Sequence, residues 1–329
     1  MSSIEFMRKY FCILLIIVLA KKSISQTVQD IIRIDEVKRI MGVLASDSLE
    51  GRGSFTRGCL KAAAFIAQEF ENDSLLFFPG FDSYYQPITI LLKRENQLKD
   101  SLDRKKAELK LFNIVGVVEG KSKAAEVILI TAHYDHISPA DAGIDRIFNG
   151  ANDNASGTTA MLMMAKYFAA SKMNERTIVF CAFDGEEWGL LGSEQFTKLI
   201  NPEAVKAVIN IEMIGISDVG KNAFFITGEN QSNISKIIRK NLKGTGVSLR
   251  SEAGMDLNLF ARSDNYPFAK LGIPAHSFMS SYDRDPCYHA TCDDLSRIEF
   301  EHLTQITRAI ATSIESIVRG VDTPSRIRL

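Results

Sequence analysis

An α/β fold, with a mostly parallel central sheet and helices on both faces, is what this sequence predicts, and three observations predict it. From Glu126 onward short apolar runs alternate with loops and helical stretches, the strand–loop–helix rhythm from which parallel sheets are built. Several of these runs end in His, Asp or Glu, and an α/β sheet opens its ligand crevice at the carboxyl ends of its strands. No shift in composition marks a second domain, and 329 residues of 46% apolar content can bury one large core.

At the N-terminus Arg8 and Lys9 precede the apolar stretch Tyr10 to Ala20, after which Ser23-Ile24-Ser25 supplies small residues at signal-peptidase spacing. This is the layout of a secretory signal, with its roughly 7–15 apolar residues, and it falls short of the ~20 that span a bilayer. An uncleaved membrane anchor is the alternative. Residues 1–25 are therefore expected to be a signal peptide and residues 26–329 the mature domain, exported to the periplasm or the extracellular space. Cys12 lies near the start of the apolar stretch, not after it, so it does not read as a lipid-attachment cysteine.

Residues 28–42 carry apolar side chains at helical spacing, and Ala45 to Gly53 is a turn-rich loop. Thr56 to Glu71 reads as an amphipathic helix with Leu60, Ala63, Phe65, Ile66 and Phe70 inward. Tyr84–Leu92 and Leu109–Val118 resemble strands joined by the charged segment Lys93–Glu108, a solvated hairpin or loop. Val127–Ala132 and Thr177–Phe183 are strand-like, a helix runs from Ser156 through Ala170, and another is expected to start at Glu186 or Glu187 and run toward Leu199. Ala207–Gly215, Ala223–Thr227 and Pro274–Phe278 complete the strands, with helices near 230–243 and 300–318. Met161, Met163 and Met164 are core filler, and Arg319–Leu329 reads as a frayed tail.

A net charge of −1 and the lack of any basic run interleaved with aromatics argue against a nucleic-acid partner. Of the five cysteines, Cys12 leaves with the signal, and Cys59 and Cys181 read as buried thiols. Cys287 and Cys292 bracket Tyr288-His289-Ala290-Thr291. An oxidising compartment permits a disulfide there, but sequence does not give the Cα separation it needs.

The chemistry concentrates between residues 133 and 187, with later contributions from 212 and 289. His133, Asp153, Glu187, Glu212 and His289 are the candidate ligands for a divalent metal, since imidazole and carboxylate together suit zinc. A lone histidine after a strand is more often structural, but three of the five histidines fall in two loop motifs of this type. The pair Glu186-Glu187 can favour a helix start. After an apolar strand and a glycine it also suggests a division of labour, with one carboxylate on metal and its neighbour free to move a proton.

These residues resemble the zinc-dependent exopeptidases of the M28 type. The matching strings are His133-Tyr134-Asp135-His136, Gly150 to Gly157, Phe183 to Ser193, Asn210 to Gly215 and Tyr288 to Asp293, with Leu49-Glu50-Gly51-Arg52 and Ser263-Asp264 in support, across residues 36–318. The resemblance implies a single-domain zinc-exopeptidase fold holding two divalent metal ions, most naturally Zn2+. Asp153 would bridge them, His133 and Glu212 would complete one ion, and Glu187 and His289 the other. Asp135 would orient the ring of His133, Asp293 could serve His289 in the same way, and the Asp153–Asn154 peptide bond would be cis. Glu212 stands where relatives more often have Asp, and Asn265 where they often have His, a change that bears on the substrate pocket.

The reaction implied is hydrolysis of a peptide bond next to a chain terminus, with Glu186 as general base toward a water activated between the ions. Tyr288 would either bond the oxyanion or serve as a packed aromatic. Peptides or small proteins would be the substrates, with no nucleic acid and, after signal removal, no membrane. Aminopeptidase is the reading preferred by analogy with secreted bacterial members. The alternatives are a carboxypeptidase, a glutaminyl cyclase on the same fold using one metal, and a binding domain without catalysis.

Overall fold

The computed structural model describes residues 27–92, 107–252 and 258–329. The expected signal segment and the connection 93–106 lie outside them, and Ala107 and Glu108 already belong to a strand. Nine strands form the sheet of the described residues: β1 (Leu76–Phe77), β2 (Tyr85–Leu92), β3 (Ala107–Val118), β4 (Lys123–His133), β5 (Arg176–Phe183), β6 (Val205–Ile211), β7 (Ala223–Ile226), β8 (Ser248–Leu249) and β9 (Ala275–Met279). Their order is β1-β3-β5-β4-β6-β9-β7-β8, with β2 on β3. The centre, β5-β4-β6-β9, is parallel throughout. Antiparallel pairing is confined to the flanks, where β3 meets β1, β2 and β5, and where β7 meets β9.

Period-two alternation decides which layer each strand residue feeds. Ile128, Ile130 and Ala132 of β4, with Ile178, Phe180 and Ala182 of β5, join the larger core. That core is roofed by α2 (Ile34–Leu44), α3 (Arg57–Asn72), α4 (Gly157–Ser171), α6 (Ile234–Asn241) and α8 (Phe300–Ser313). Leu129, Val179, Cys181 and Phe183 face the opposite layer. There they meet Phe196 of the short α5 (Leu191–Phe196) and Phe268 of α7 (Asn265–Ala269). Met161, Met163 and Met164 are fully buried. No helix of the described residues is long and apolar enough to cross a membrane.

Four local expectations need correction. Leu60, expected on the inward face of the Thr56–Glu71 helix, is half exposed, while Ala63, Ile66 and Phe70 are buried. The helical stretch at 28–42 is two helices, α1 (Val28–Ile31) and α2, broken at Ile32 and at Arg33, the second of which has an extended backbone. Glu186 and Glu187 do not open a helix: Gly189 (φ 90°) and Leu190 (φ 63°) turn the chain, and α5 starts only at Leu191. After α9 (Glu315–Val318) the tail is anchored, not frayed. Ile327 is buried in the second layer, its N–H bonds the Gly272 carbonyl, and Arg326 donates to the carbonyls of Pro202 and Leu271.

Candidate metal centre

Parallel register brings the site together. His133 at the end of β4 lies beside Phe183 at the end of β5, so Tyr134–His136 and Asp184–Glu187 leave the sheet side by side. β6, on the other side of β4, ends one residue before Glu212. Asp153 comes from the irregular turn Ala151–Ser156, and the Asp153–Asn154 bond within it is cis. Asn152 and Asn154 tie this turn to the segment after β6. Asn152 Oδ1 accepts from Gly215 N (2.9 Å), while Asn154 Oδ1 accepts from Met213 N (3.1 Å).

Buried Arg52 fixes the same loops from behind, its guanidinium donating to the carbonyls of Leu44 (2.5 Å), Tyr134 (2.8 Å), Asn149 (2.5 Å) and Gly150 (2.9 Å). Gly150 has φ 54°, and a Cβ there would meet the Asp153 carbonyl oxygen at 2.2 Å and the His136 ring at 2.5 Å, so only glycine lets the turn pass this close.

The five donors named from the sequence meet in space and divide into two groups that share Asp153. His133 Nε2 lies 3.0 Å from Glu212 Oε1 and 3.3 Å from Asp153 Oδ1. His289 Nε2 lies 3.1 Å from Asp153 Oδ2 and 3.1 Å from Glu187 Oε1. The carboxylate of Asp153 thus presents one oxygen to each group. The second group contains a residue that sequence reasoning missed as a donor: His136, whose Nδ1 is 3.0 Å from Glu187 Oε1 and 3.8 Å from Asp153 Oδ2. Its only signal was its place in the string His133-Tyr134-Asp135-His136.

The groups around the donors hold them in place. His133 Nδ1 faces the main-chain carbonyl of Asp135 at 3.1 Å, closer than the Asp135 carboxylate at 3.6 Å. That carboxylate accepts from Ser54 Oγ (2.9 Å) and from the backbone N–H groups of Glu186 (3.2 Å) and Glu187 (3.4 Å), joining the β4 and β5 loops. Asp293 accepts from the N–H groups of Asn152 (2.9 Å) and Asp153 (3.0 Å), and so holds the bridging turn where His289 was expected as its partner. The second oxygen of Glu212 accepts from Ser263 Oγ at 2.6 Å. Asn265 is buried beneath, bonded to Phe260 O and Ser277 Oγ, and does not line the site. Cys287 and Cys292 form a disulfide across 5.3 Å between Cα atoms, closing the loop that carries Tyr288 and His289. The Tyr288 ring stacks on that of His289 at 3.9 Å.

Electrostatically the site calls for positive charge. Burial opposes ionisation of Asp153, yet the His133 and His289 imidazoles hold its carboxyl well below the usual range. Burial likewise opposes protonation of His289, but Asp153 and Glu187 raise it to about 10. Carboxylates buried at this density are costly unless cations meet them, and the imidazole and carboxylate donors are those zinc takes. His289 Nε2, buried and close to two carboxylate oxygens, makes no well-directed hydrogen bond to either. It stands 3.1 Å from an oxygen of each, the placing of a shared metal ligand. The residues fit a pair of divalent ions.

A recess of about 40 Å³ opens beside the first group, lined by His133, Asp153, Glu186, Glu212, Met213, Leu259, Arg262, Ser263, Met279, Asp283 and Tyr288. Glu186 belongs to neither donor group. Burial pushes its carboxyl well above the ordinary value, and Glu212, Asp264 and Glu187 push the same way against the opposing pull of His133.

Comparison with known proteins agrees with this geometry. Residues 113–314 match the model of Peptidase family M28. The chain is 27% identical over 260 residues to aminopeptidase YwaD of Bacillus subtilis, covering 74% of this chain and 54% of that protein. It is 28% identical over 210 residues to leupeptin-inactivating enzyme 1 of Streptomyces exfoliatus, covering 56% and 46%. The chain thus spans about half the length of these curated relatives. Among solved structures, a zinc aminopeptidase from Bacillus subtilis superposes with a TM-score of 0.69 at 18% identity, over 88% of this chain and 96% of that one. A glutaminyl cyclase from Porphyromonas gingivalis superposes with a TM-score of 0.65 at 16% identity, over 87% and 99%. At these identities the superpositions speak for the fold alone.

Proposed function

The chain belongs to peptidase family M28, and from that premise we propose that it is a metal-dependent aminopeptidase, cleaving the peptide bond after an N-terminal residue. The observation that carries this reading is Glu186, a half-buried carboxyl on the recess wall that is left out of both donor groups. His133, Glu212 and Asp153 would hold one divalent ion, and Asp153, Glu187 and His289 the other. Bound there, the ions supply Lewis acidity that lowers the pKa of water and polarises a carbonyl. Glu186 takes the proton of the attacking water and returns it to the leaving amine. Its raised proton affinity suits a group that must hold the proton between those two moments. Tyr288, on the recess wall, donates a hydrogen bond to the developing oxyanion. Met213, Leu259 and Met279 give the recess an apolar side for the substrate's first side chain.

The Cys287–Cys292 bridge supports an oxidising compartment, and with it export to the periplasm or the extracellular space under a cleaved signal. The likeness of fold to glutaminyl cyclases keeps cyclisation of N-terminal glutamine as the second reading.

A panel of aminoacyl-nitroanilides, N-blocked peptides and glutaminyl peptides separates the readings, with turnover expected on the first and lost on N-blocking. In the same assay Glu186→Gln should lower kcat by about 10²–10⁴ while metal analysis still finds two ions per chain. Turnover at the wild-type rate would remove Glu186 from the role of base.

A further inference from the structure

We propose that His136 is a fourth protein donor to the second ion, so that the two halves of the centre are unequal. The half built from His136, Asp153, Glu187 and His289 is closed and fills first. The half built from His133, Asp153 and Glu212 keeps an open position and is the one that meets substrate. This rests on the two-ion reading above, in which His136 has no part.

The distances carry it. Four ligands at about 2.0–2.1 Å from a tetrahedral zinc stand ~3.3 Å from one another. Around the second group the donor separations are 3.0 Å (His136 Nδ1 to Glu187 Oε1), 3.1 Å (His289 Nε2 to Glu187 Oε1), 3.1 Å (His289 Nε2 to Asp153 Oδ2) and 3.8 Å (His136 Nδ1 to Asp153 Oδ2). They close a four-cornered ring of the size a tetrahedron needs. The first group offers three corners, with His133 Nε2 at 3.0 Å from Glu212 and 3.3 Å from Asp153.

The recess lies where the fourth corner of that first group is missing. His133, Asp153 and Glu212 line it, whereas His136, Glu187 and His289 do not. A site with four protein donors is the closed, structural kind of zinc site, and one with three leaves a place for water and substrate. The surrounding loops fix His136 in this position. Its ring is fully buried under Gly150 and edge-on to His289 at 5.5 Å, and its backbone N–H bonds Arg52 O. With Nδ1 toward the ion, the ring proton sits on Nε2, which has no acceptor among the described residues, and the metal bond must offset that cost.

The test loads the metal-free full-length protein with one equivalent of Zn2+ and reads the zinc K-edge EXAFS, in which imidazole rings give a countable multiple-scattering signal. Two imidazoles on the first zinc are expected in the wild type and one in His136→Ala. Competition against a chromophoric chelator should show two classes of zinc affinity in the wild type, the tighter weakened by at least about tenfold in the variant. His136→Gln, which retains bulk, guards against a folding defect and should weaken the same class. A single imidazole on the first zinc of the wild type, unchanged in His136→Ala, overturns the proposal and leaves His136 as a hydrogen-bond donor to Glu187. Wild-type protein that takes up no zinc would instead bring down the two-ion reading itself.

Discussion

Glu212 shows how a partner on one carboxylate oxygen sets where the other oxygen points. Its Oε1 stands 3.0 Å from His133 Nε2 because Oε2 is held by Ser263 Oγ at 2.6 Å. Ser263 is held in turn by Asn210 Nδ2 at 2.9 Å, so the carboxylate is fixed from the floor of the sheet. Partners of this kind orient a ligand without touching the metal, and their loss commonly lowers affinity by about 10–100-fold. Ser263→Ala should therefore weaken zinc binding in the His133 half by about that factor and leave the His136 half unchanged. A chelator-competition titration of the two affinity classes reads this directly, and equal weakening of both classes would count against it.

At the next level up, strand β9 carries a titrating group away from the centre. His276 is buried, its Nδ1–H donating to Thr227 O (2.8 Å) and its Nε2 accepting from Ser232 Oγ (2.8 Å), an oxygen that also accepts from Ile234 N. The neutral ring is fully satisfied, and burial lowers its pKa to about 4 from the ordinary value of 6.5. Because the folded value lies below the unfolded one, the neutral ring's contribution to stability is complete above pH ~6.5. It is lost progressively as pH falls toward 4, and the full loss is about 3 kcal/mol. Urea unfolding between pH 7.5 and 4 should show this slope, and His276→Gln should flatten it, whatever the variant's starting stability. An unchanged slope would place the acid sensitivity elsewhere.

Strands such as β4 and β5 were legible because continuous apolar runs of this length mark strands buried on both faces. The donors at strand ends, His133, Glu187 and Glu212, were legible because packing alone seldom puts a charged residue just past such a run. What escaped the sequence was fixed by distant contacts. Nothing local says that Gly189 and Leu190 adopt positive φ and hold Glu186 and Glu187 off the helix. Nothing local says that Ile327 finds a place in the second core layer, or which of the two imidazoles in His133-Tyr134-Asp135-His136 serves which half. The His136 ring packs against Gly150, which arrives from another loop.

Taken as a whole, the molecule gathers acidic side chains where four central strands end, and its stability is tied to what neutralises them. Asp135, Asp153, Glu212 and Asp293 are all buried around the centre, and burial raises the Asp293 carboxyl to about 6 even with two backbone N–H groups bonded to it. Mutual repulsion in low dielectric is relieved in the unfolded chain, where these groups separate into water, so ions that bind only the folded form stabilise it by mass action. At free zinc about a hundredfold above each dissociation constant, the gain is roughly 2.7 kcal/mol per ion. Dialysis against EDTA should lower the thermal midpoint by several degrees, and added Zn2+ should restore it in two steps, the first at lower free zinc. Mg2+ should not substitute, since imidazole nitrogens suit zinc far better than a hard oxygen-seeking ion. Differential scanning calorimetry across a zinc-buffer series measures this, and a midpoint that ignores both chelator and zinc would mean that the folded chain carries its buried carboxylates without metal.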